Sequence, residues 1–421
     1  MRSTAALILA LAYPASALAG QATRAPLSRA QAVAAALARG ARLGVARADT
    51  AAAAALLVGA RAFQNPVLAA GYSKDAPQYH VAVELPLDLP GLRSSRIRSA
   101  AAGRDAARYR FQFERAAAAL EADTTYTRAL AARARAELSR RTAQDADSLR
   151  RMAAARRDAG DASDLDVELA TVNAGQQANV AASDSLELIA TLLDLQMVIG
   201  LSDDDISVSL TDSLMPPGDP EPPEGAGATF AASAPAAALA PLATPLRVIA
   251  AEAAVESARL ATLAQRRGIF AGPSVSAGFD TGDPSGDARG ILPTVFFALP
   301  LPFLDRNRGP VAQAEAEAAR ARAELALARL ESRNQIARAD RERRVALQKV
   351  ARDQGLVVSA NRVATMSLTA YREGAAPIAT VLEAQRNARE VLSQYVDDLA
   401  AAWIATATLR VLTLTPAATA P

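Results

Sequence analysis

The chain holds one histidine, His80, and no cysteine. Without cysteine there is no thiolate nucleophile, thiolate metal site, disulfide or lipidated N-terminal Cys. With one histidine, a Ser–His–Asp relay or an imidazole metal site is reduced to a single member. No partner for His80 can be named from the sequence, so it reads as a solvated side chain. Asp203, Asp204 and Asp205 could offer carboxylates to a hard cation, but three adjacent acids without a turn glycine have the composition of a solvated loop. The five methionines are scattered and build no relay for a soft metal. These residue types supply no catalytic constellation and call for no cofactor. What they do supply is charge beside two glycines. Arg157, Asp158, Gly160, Asp161 and Ser163 form one cluster; Tyr371, Arg372, Glu373, Gly374 and Pro377 form the other. These charges can pair across helices, or remain exposed salt bridges worth about 0–1 kcal/mol each.

The two clusters occupy one place in a duplicated chain. Gly374 follows Gly160 by 214 residues, the interval that also separates Leu85-Pro86-Leu87 from Leu299-Pro300-Leu301. Phe63, Pro66, Gly71 and Tyr72 recur 207 residues later as Phe270, Pro273, Gly278 and Phe279, so a seven-residue insertion separates the two sets. Each half has the same order: a helix, two short strands, a very long helix, a glycine turn and a return helix. The first repeat spans 20–214. It has a helix from Leu27 to about Ala62 opened by Ser28, a hairpin at 67–87, a long helix at 92–159 and a return helix at 163–200. The second spans 246–415, with a helix, a hairpin at 273–301, a long helix at 308–373 and a return helix at 377–414 that has Pro377 in its first turn. A proline-dense linker at 215–245 joins the repeats, and 416–421 is a tail.

The helical segments are alanine-rich and free of proline from Gly91 to Met215 and from Val311 to Ala376. A helix over 92–159 is about 100 Å long, too long to bury itself in a compact domain. Gly160 suits a left-handed helix end, and Ser163 with Asp166 suits a capping box for the return helix. Leu188, Leu192, Leu195 and Ile199, and later Leu392, Val396, Leu399 and Trp403, recur at coiled-coil spacing. With alanine over much of the rest, the helices read as a wall. Over the whole chain 46 Lys and Arg nearly balance 44 Asp and Glu, and basic and acidic residues are mixed along the helices, which leaves no nucleic-acid footprint.

Residues 1–19 read as a signal peptide: Arg2, an apolar Ala5–Ala12 stretch, then Ala17-Leu18-Ala19 as a cleavage signal. No later segment reads as long and apolar enough for a transmembrane helix, so a membrane-entering mature chain would do so as strands. The hairpins fit that role. Tyr79, Val81, Val83, Leu85 and Leu87 alternate with His80, Ala82 and Glu84. Val275, Ala277 and Phe279 alternate with Ser274, Ser276 and Gly278, and Val295, Phe297 and Leu299 extend the apolar face. This is the lipid-facing and lumen-facing alternation of a membrane barrel, with Tyr72 and Tyr79 at an interfacial position. A soluble half-buried hairpin has the same alternation. Four strands in lipid cannot close a barrel with a usable interior, and open edges leave backbone groups unpaired, so membrane strands require several copies in a ring.

The whole arrangement resembles the outer membrane efflux proteins, the TolC-like outer membrane factors. The resemblance rests on Leu299-Pro300-Leu301-Pro302-Phe303-Leu304-Asp305-Arg306-Asn307-Arg308-Gly309 with Val311-Ala312-Gln313-Ala314-Glu315. It rests also on Tyr371-Arg372-Glu373-Gly374 with Val381-Leu382-Glu383-Ala384-Gln385, and on their first-half counterpart Arg157 to Val167. The opening Leu27 to Ala32 matches too, and the Asp305–Gly309 run is most similar to the heavy-metal efflux branch. The chain departs from the family pattern at Arg39-Gly40-Ala41, where Asn-Pro is usual, and in having no lipidated cysteine. The resemblance implies a mainly α, internally duplicated fold: a homotrimer with a 12-stranded β-barrel in the lipid of the outer membrane, continued by a helical barrel in the periplasm. It implies a passive channel that takes metal ions, drugs or other small molecules from a periplasmic membrane-fusion adaptor and an inner-membrane efflux pump. It places the two charge clusters at the periplasmic entrance, against the adaptor. Should the charges there pair between helices, they would hold the entrance narrow and rearrange when the adaptor docks. The opposing reading is a soluble periplasmic coiled-coil adaptor or scaffold, which accounts for the helices but not for the paired hairpins.

Overall fold

The structure is a computed structural model that describes residues 25–88, 90–201, 206, 208–217, 244–270, 272–282, 291–301, 303 and 306–414. The 1–19 segment, Asp203–Asp205, most of the proline-dense linker, the turn of the second hairpin and the 416–421 tail lie outside those residues. In chain order the elements are β1 (Ala25–Leu27), α1 (Arg29–Arg39), α2 (Ala41–Arg61), β2 (Val67–Tyr72), β3 (Tyr79–Pro86), α3 (Pro90–Asp158), α4 (Asp164–Val198), β4 (Val208–Leu210), α5 (Leu246–Arg267), β5 (Ser274–Thr281), β6 (Leu292–Ala298), α6 (Arg308–Arg372) and α7 (Ile378–Leu412). The order helix, strand, strand, long helix, return helix occurs twice.

Helices α3 and α6, of 69 and 65 residues, are each about 100 Å long. Their buried faces are mostly alanine: Ala122, Ala129, Ala136 and Ala153 on α3, Ala314, Ala328, Ala339 and Ala346 on α6. Small side chains let α3 lie close along α4 and α5, and α6 along α5 and α7. The apolar contacts are therefore broken into separate clusters strung along the helices, with no single thick core. One joins Ala32 and Ala36 of α1 to Tyr126, Leu130, Leu195 and Ile199. Another joins Leu149, Ala153 and Ala170 to Tyr371, Ile378 and Val381 at the far end.

Three expectations from the sequence are corrected. The helix expected from Leu27 to Ala62 is two helices. Ser28 caps α1 with a full capping box to Gln31, but Gly40 takes an extended ψ of 128° and the chain restarts as α2. The break lies where α1 meets the end of α4: a Cβ on Gly200 would lie 2.8 Å from the Arg39 carbonyl oxygen. α2 and α4 thus follow one another along α3, with Arg42 of α2 reaching Glu114 at 2.8 Å. Second, α2 is long and apolar enough to cross a membrane, with a mean hydropathy of 1.4, because its alanine–leucine run holds few charges. It packs lengthwise on α3 and buries Leu43, Ala46, Leu57 and Ala60. Third, Pro377 stands one position before α7 as its N-cap, with ψ 156°, and not in its first turn.

The middle of the molecule has a belt that the repeat pattern does not announce. β1 pairs in parallel with β4. Tyr126 donates its hydroxyl to the Leu27 carbonyl and to Asp212, at 2.9 and 2.8 Å. Burial first, then its bonds to Asp212, pushes the Tyr126 phenol above its usual value. Trp403 of α7 donates to the Met215 carbonyl at 2.6 Å, so the chain at the end of the first repeat is stitched to the second.

Candidate functional site

Two features stand apart from the helical wall: a single sheet at one end and two glycine turns at the other. The sheet has the order β2-β3-β5-β6, all antiparallel, so the hairpins of the two repeats merge through β3 and β5. Residues in register across neighbouring strands share a face. Tyr72, Tyr79, Val81, Val83, Leu85, Val275, Phe279, Val295 and Phe297 fall on one face, and Leu299 follows in the same alternation. Among the described residues no helix covers this face: Val295 is 73 % exposed and Phe297 64 %. Tyr72 and Tyr79 meet at the hairpin end with ring centres 5.4 Å apart and ring planes tilted by 51°. β2 and β6 are edge strands with no further partner among the described residues.

His80, Glu84, Ser274 and Ser276 share the opposite face. His80 is not the lone solvated side chain the sequence suggested. Its Nδ1 lies 2.9 Å from Asp280 Oδ1 on β5, and its Nε2 lies 3.4 Å from Ser73 Oγ. Ser274 is buried where β5 meets Pro86 and Ala298. This face is not wholly polar: Glu84 and Ser276 lie in one row with Val67 and Phe296.

At the other end, Gly160 and Gly374 have φ of +85° and +76°, the left-handed helix end that glycine adopts without a Cβ penalty. Ser163 then caps α4 by a reciprocal box with Asp166. The structure disperses the charges of these turns. Arg157 pairs with its neighbour Asp158 at 2.6 Å and reaches exposed Asp164 at 3.8 Å. Arg372 and Glu373 are exposed and have no ion pair among the described residues. The side chain that joins the turns is Arg156, which sequence reading missed. It lies over the Tyr371 ring at 4.8 Å, donates to the Tyr371 carbonyl, and donates to the Asp161 carbonyl at 3.3 Å. Its sequence signal was available: Leu149, Ala153 and Arg156 continue one helical stripe, and the first two are buried. Tyr371 is 3 % exposed, and burial pushes its phenol above the usual value in spite of Arg156. A cleft of about 250 Å³ lies here, lined by Arg156, Asp161, Asp166, Tyr371 and the Gly374–Ile378 turn. Among the described residues no group of three or more His, Cys, Asp or Glu side chains could hold a metal ion.

No protein-family model matches the chain, and no curated protein sequence matches it significantly. Solved structures do. A structure of CusC, described in terms of folding and transmembrane channel formation, is 15 % identical, with a TM-score of 0.73 over 91 % of each chain. A membrane protein from Pseudomonas aeruginosa is 21 % identical, with a TM-score of 0.74 over 93 % of this chain and 91 % of that one. The CmeC outer membrane channel of Campylobacter jejuni is 15 % identical, with a TM-score of 0.75 over 91 % of this chain and 85 % of that one. The chain therefore shares the fold of these membrane proteins over about nine-tenths of its length.

Proposed function

We propose that the chain is a homotrimeric exit duct of the outer membrane. The observation that carries this reading is the sheet. Among the described residues its apolar face is uncovered and both edge strands lack partners, and it is joined to two helices of about 100 Å. In water such a face and such edges are aggregation sites; in lipid the face is solvated, but each unpaired edge group costs several kcal/mol. Three copies joined β6 to β2 give twelve strands and leave no edge. The row of Tyr72 and Tyr79 then lies at a lipid–water interface, and His80, Asp280 and Glu84 face the lumen. The helices continue the ring as a periplasmic tube whose entrance is built from the two glycine turns. Exposed apolar residues along α4 and α6, among them Val172, Leu186, Leu327, Leu330 and Val358, become contacts between copies. The tube conducts small solutes passively, delivered by a periplasmic adaptor and an inner-membrane pump that dock at the entrance. A soluble scaffold leaves the uncovered sheet without a role.

The test is the molar mass of the purified mature chain in detergent, by light scattering with the detergent subtracted, followed by planar-bilayer recording. A trimer that conducts is the expected result. A monodisperse monomer that stays in solution without detergent overturns the proposal.

A further inference from the structure

The helix-side end of the sheet carries a cleft that the duct itself does not require. It lies where α2 ends and α3 begins, has a volume of about 460 Å³, and is lined by Phe63, Asp88, Arg93, Ser94, Ile97 and Arg98. Its charge is unbalanced. Asp88, the one acid, is held by Arg96 at 2.6 Å and faces Arg93 Nε at 3.7 Å. That leaves three guanidinium groups against one carboxylate. Arg93 lies 4.4 Å from the centre of the Phe63 ring and donates to the Arg61 carbonyl at 2.8 Å, while its buried Nε makes no hydrogen bond. Arg98 is exposed and has no ion pair among the described residues. Phe63 is 71 % exposed. The second repeat brings exposed Phe303 and Arg308 to the same end of the sheet.

We propose that this cleft binds the headgroup of an anionic phospholipid in the leaflet facing the helices. A guanidinium fork matches phosphate oxygens two at a time, and Arg98 is free to supply one. A free phosphate would use the arginines alone. The exposed Phe63 ring, stacked under Arg93 and beside the uncovered sheet, gives an acyl chain a surface that an inorganic ion does not need. The inference rests on the sheet lying in lipid.

The test uses the purified mature protein. Flotation with phosphatidylethanolamine vesicles first establishes membrane insertion. Native mass spectrometry of the detergent-solubilised protein then measures binding of phosphatidylglycerol, phosphatidylethanolamine and inorganic phosphate. Phosphatidylglycerol should bind more tightly than phosphatidylethanolamine, and Arg98→Gln should weaken it about fivefold, the usual effect of one basic residue at a membrane surface. Arg362→Gln, about 80 Å along α6 from Arg308, should change nothing. Equal binding of the two lipids, or an unchanged affinity in Arg98→Gln, overturns the proposal while the duct survives. Displacement of the lipid by inorganic phosphate at equal concentration overturns it in favour of a free-phosphate site. Failure to float overturns this proposal and the duct together.

Discussion

The Arg156 guanidinium, in the last turn of the first long helix, lies 4.8 Å from the centre of the Tyr371 ring in the last turn of the second. Duplication alone does not produce this contact. At the 214-residue interval the counterpart of Tyr371 is Arg157, and the counterpart of Arg156 is Ala370. The link is therefore asymmetric: one half supplies the cation, the other the ring and the accepting carbonyl. Because burial holds the phenol above its usual value, Tyr371 stays neutral at ordinary pH. Arg156 then acts on a ring face and two carbonyl dipoles, and it couples the two turns of one chain into one body.

Replacing Arg156 with Gln should uncouple the turns. A cation–π contact is worth about 0.5–2 kcal/mol, and the charge-assisted bond to the Tyr371 carbonyl adds to it. We expect faster amide exchange at both turns and noisier single-channel currents. The melting temperature should scarcely move, since the loss is local. Arg157→Gln breaks only exposed pairs with Asp158 and Asp164 and should have the smaller effect. A larger effect from Arg157 than from Arg156 would refute the assignment.

How far the sequence showed all this depends on what each feature obeys. The left-handed Gly160 and Gly374 and the Ser163–Asp166 box follow local rules that four or five residues contain. The alternation of Tyr79 to Leu85 follows the pleat, so the faces of the sheet were readable as well. What the sequence hid were contacts set by register between distant segments. Asp280 meets His80 only because β3 of one repeat pairs with β5 of the other. Gly40 breaks a helix with good local propensity because α4 ends against it. The β1–β4 pair joins three-residue segments more than 180 residues apart, too short for any periodicity. Reading the sequence by its apolar pattern missed α2 as a membrane-length apolar helix, since alanine raises the mean hydropathy without marking a face.

Gly278 tests the β3–β5 seam. A Cβ there would lie 2.7 Å from Ala82 Cα and 2.8 Å from Ala82 Cβ, against backbone that cannot rotate away. Gly71, on β2 of the same sheet, has open space at the equivalent point. We expect Gly278→Ala to prevent the two hairpins from merging and to abolish the heat-modifiable oligomer on gels, while Gly71→Ala assembles normally. Overpacking of this kind typically costs about 1–3 kcal/mol in a core, and here it repeats in every copy. Normal assembly of Gly278→Ala would mean that the seam is looser than its geometry.

Asp353 of α6 and Asp398 of α7 give the helices a pH dependence. Both are buried, and Asp353 Oδ2 has no hydrogen-bond donor among the described residues. Burial first, then the contact with Asp398, pushes the Asp353 carboxyl up, against Arg352 and Lys349. Burial raises Asp398 too, but the bond from Gln394, the contact with Asp353 and the bond from Lys349 outweigh it and hold Asp398 below the usual value. Above the unfolded carboxylate value of about 3.9, Asp353 keeps a proton that the unfolded chain has released, so its contribution falls as pH rises through its folded pKa. The Asp398 contribution runs the other way, present above about 3.9 and lost as pH falls. Asp353→Asn, a permanent donor, should therefore melt a few degrees above the parent at pH 7 and converge with it near pH 4. Parallel melting curves across that range would exclude a shared proton.

Arg29 offers the strongest single test of the belt. Its guanidinium lies 4.3 Å from the Trp403 ring centre and 5.5 Å from that of Tyr126, pairs with Asp123, and donates to Thr127 at 2.9 Å. Its backbone N–H also donates to Asp212 at 2.8 Å, but that bond survives a side-chain change. Arg29→Ala removes two cation–π contacts and leaves half-buried Asp123 without its cation, each worth about 0.5–2 kcal/mol or more. We expect a loss of about 2–4 kcal/mol in chemical unfolding. Trp403 is the only tryptophan in the chain, so its fluorescence reports on this place alone. Its emission should shift in Arg29→Ala at denaturant concentrations where the helical signal is intact, because α7 and the linker start would separate before α3 and α6 unfold. Arg29→Lys keeps the charge but not the planar stacking, and should recover the Asp123 pair while leaving the emission shifted. If lysine restores both, the ion pair alone holds the belt, and stacking on Trp403 contributes nothing.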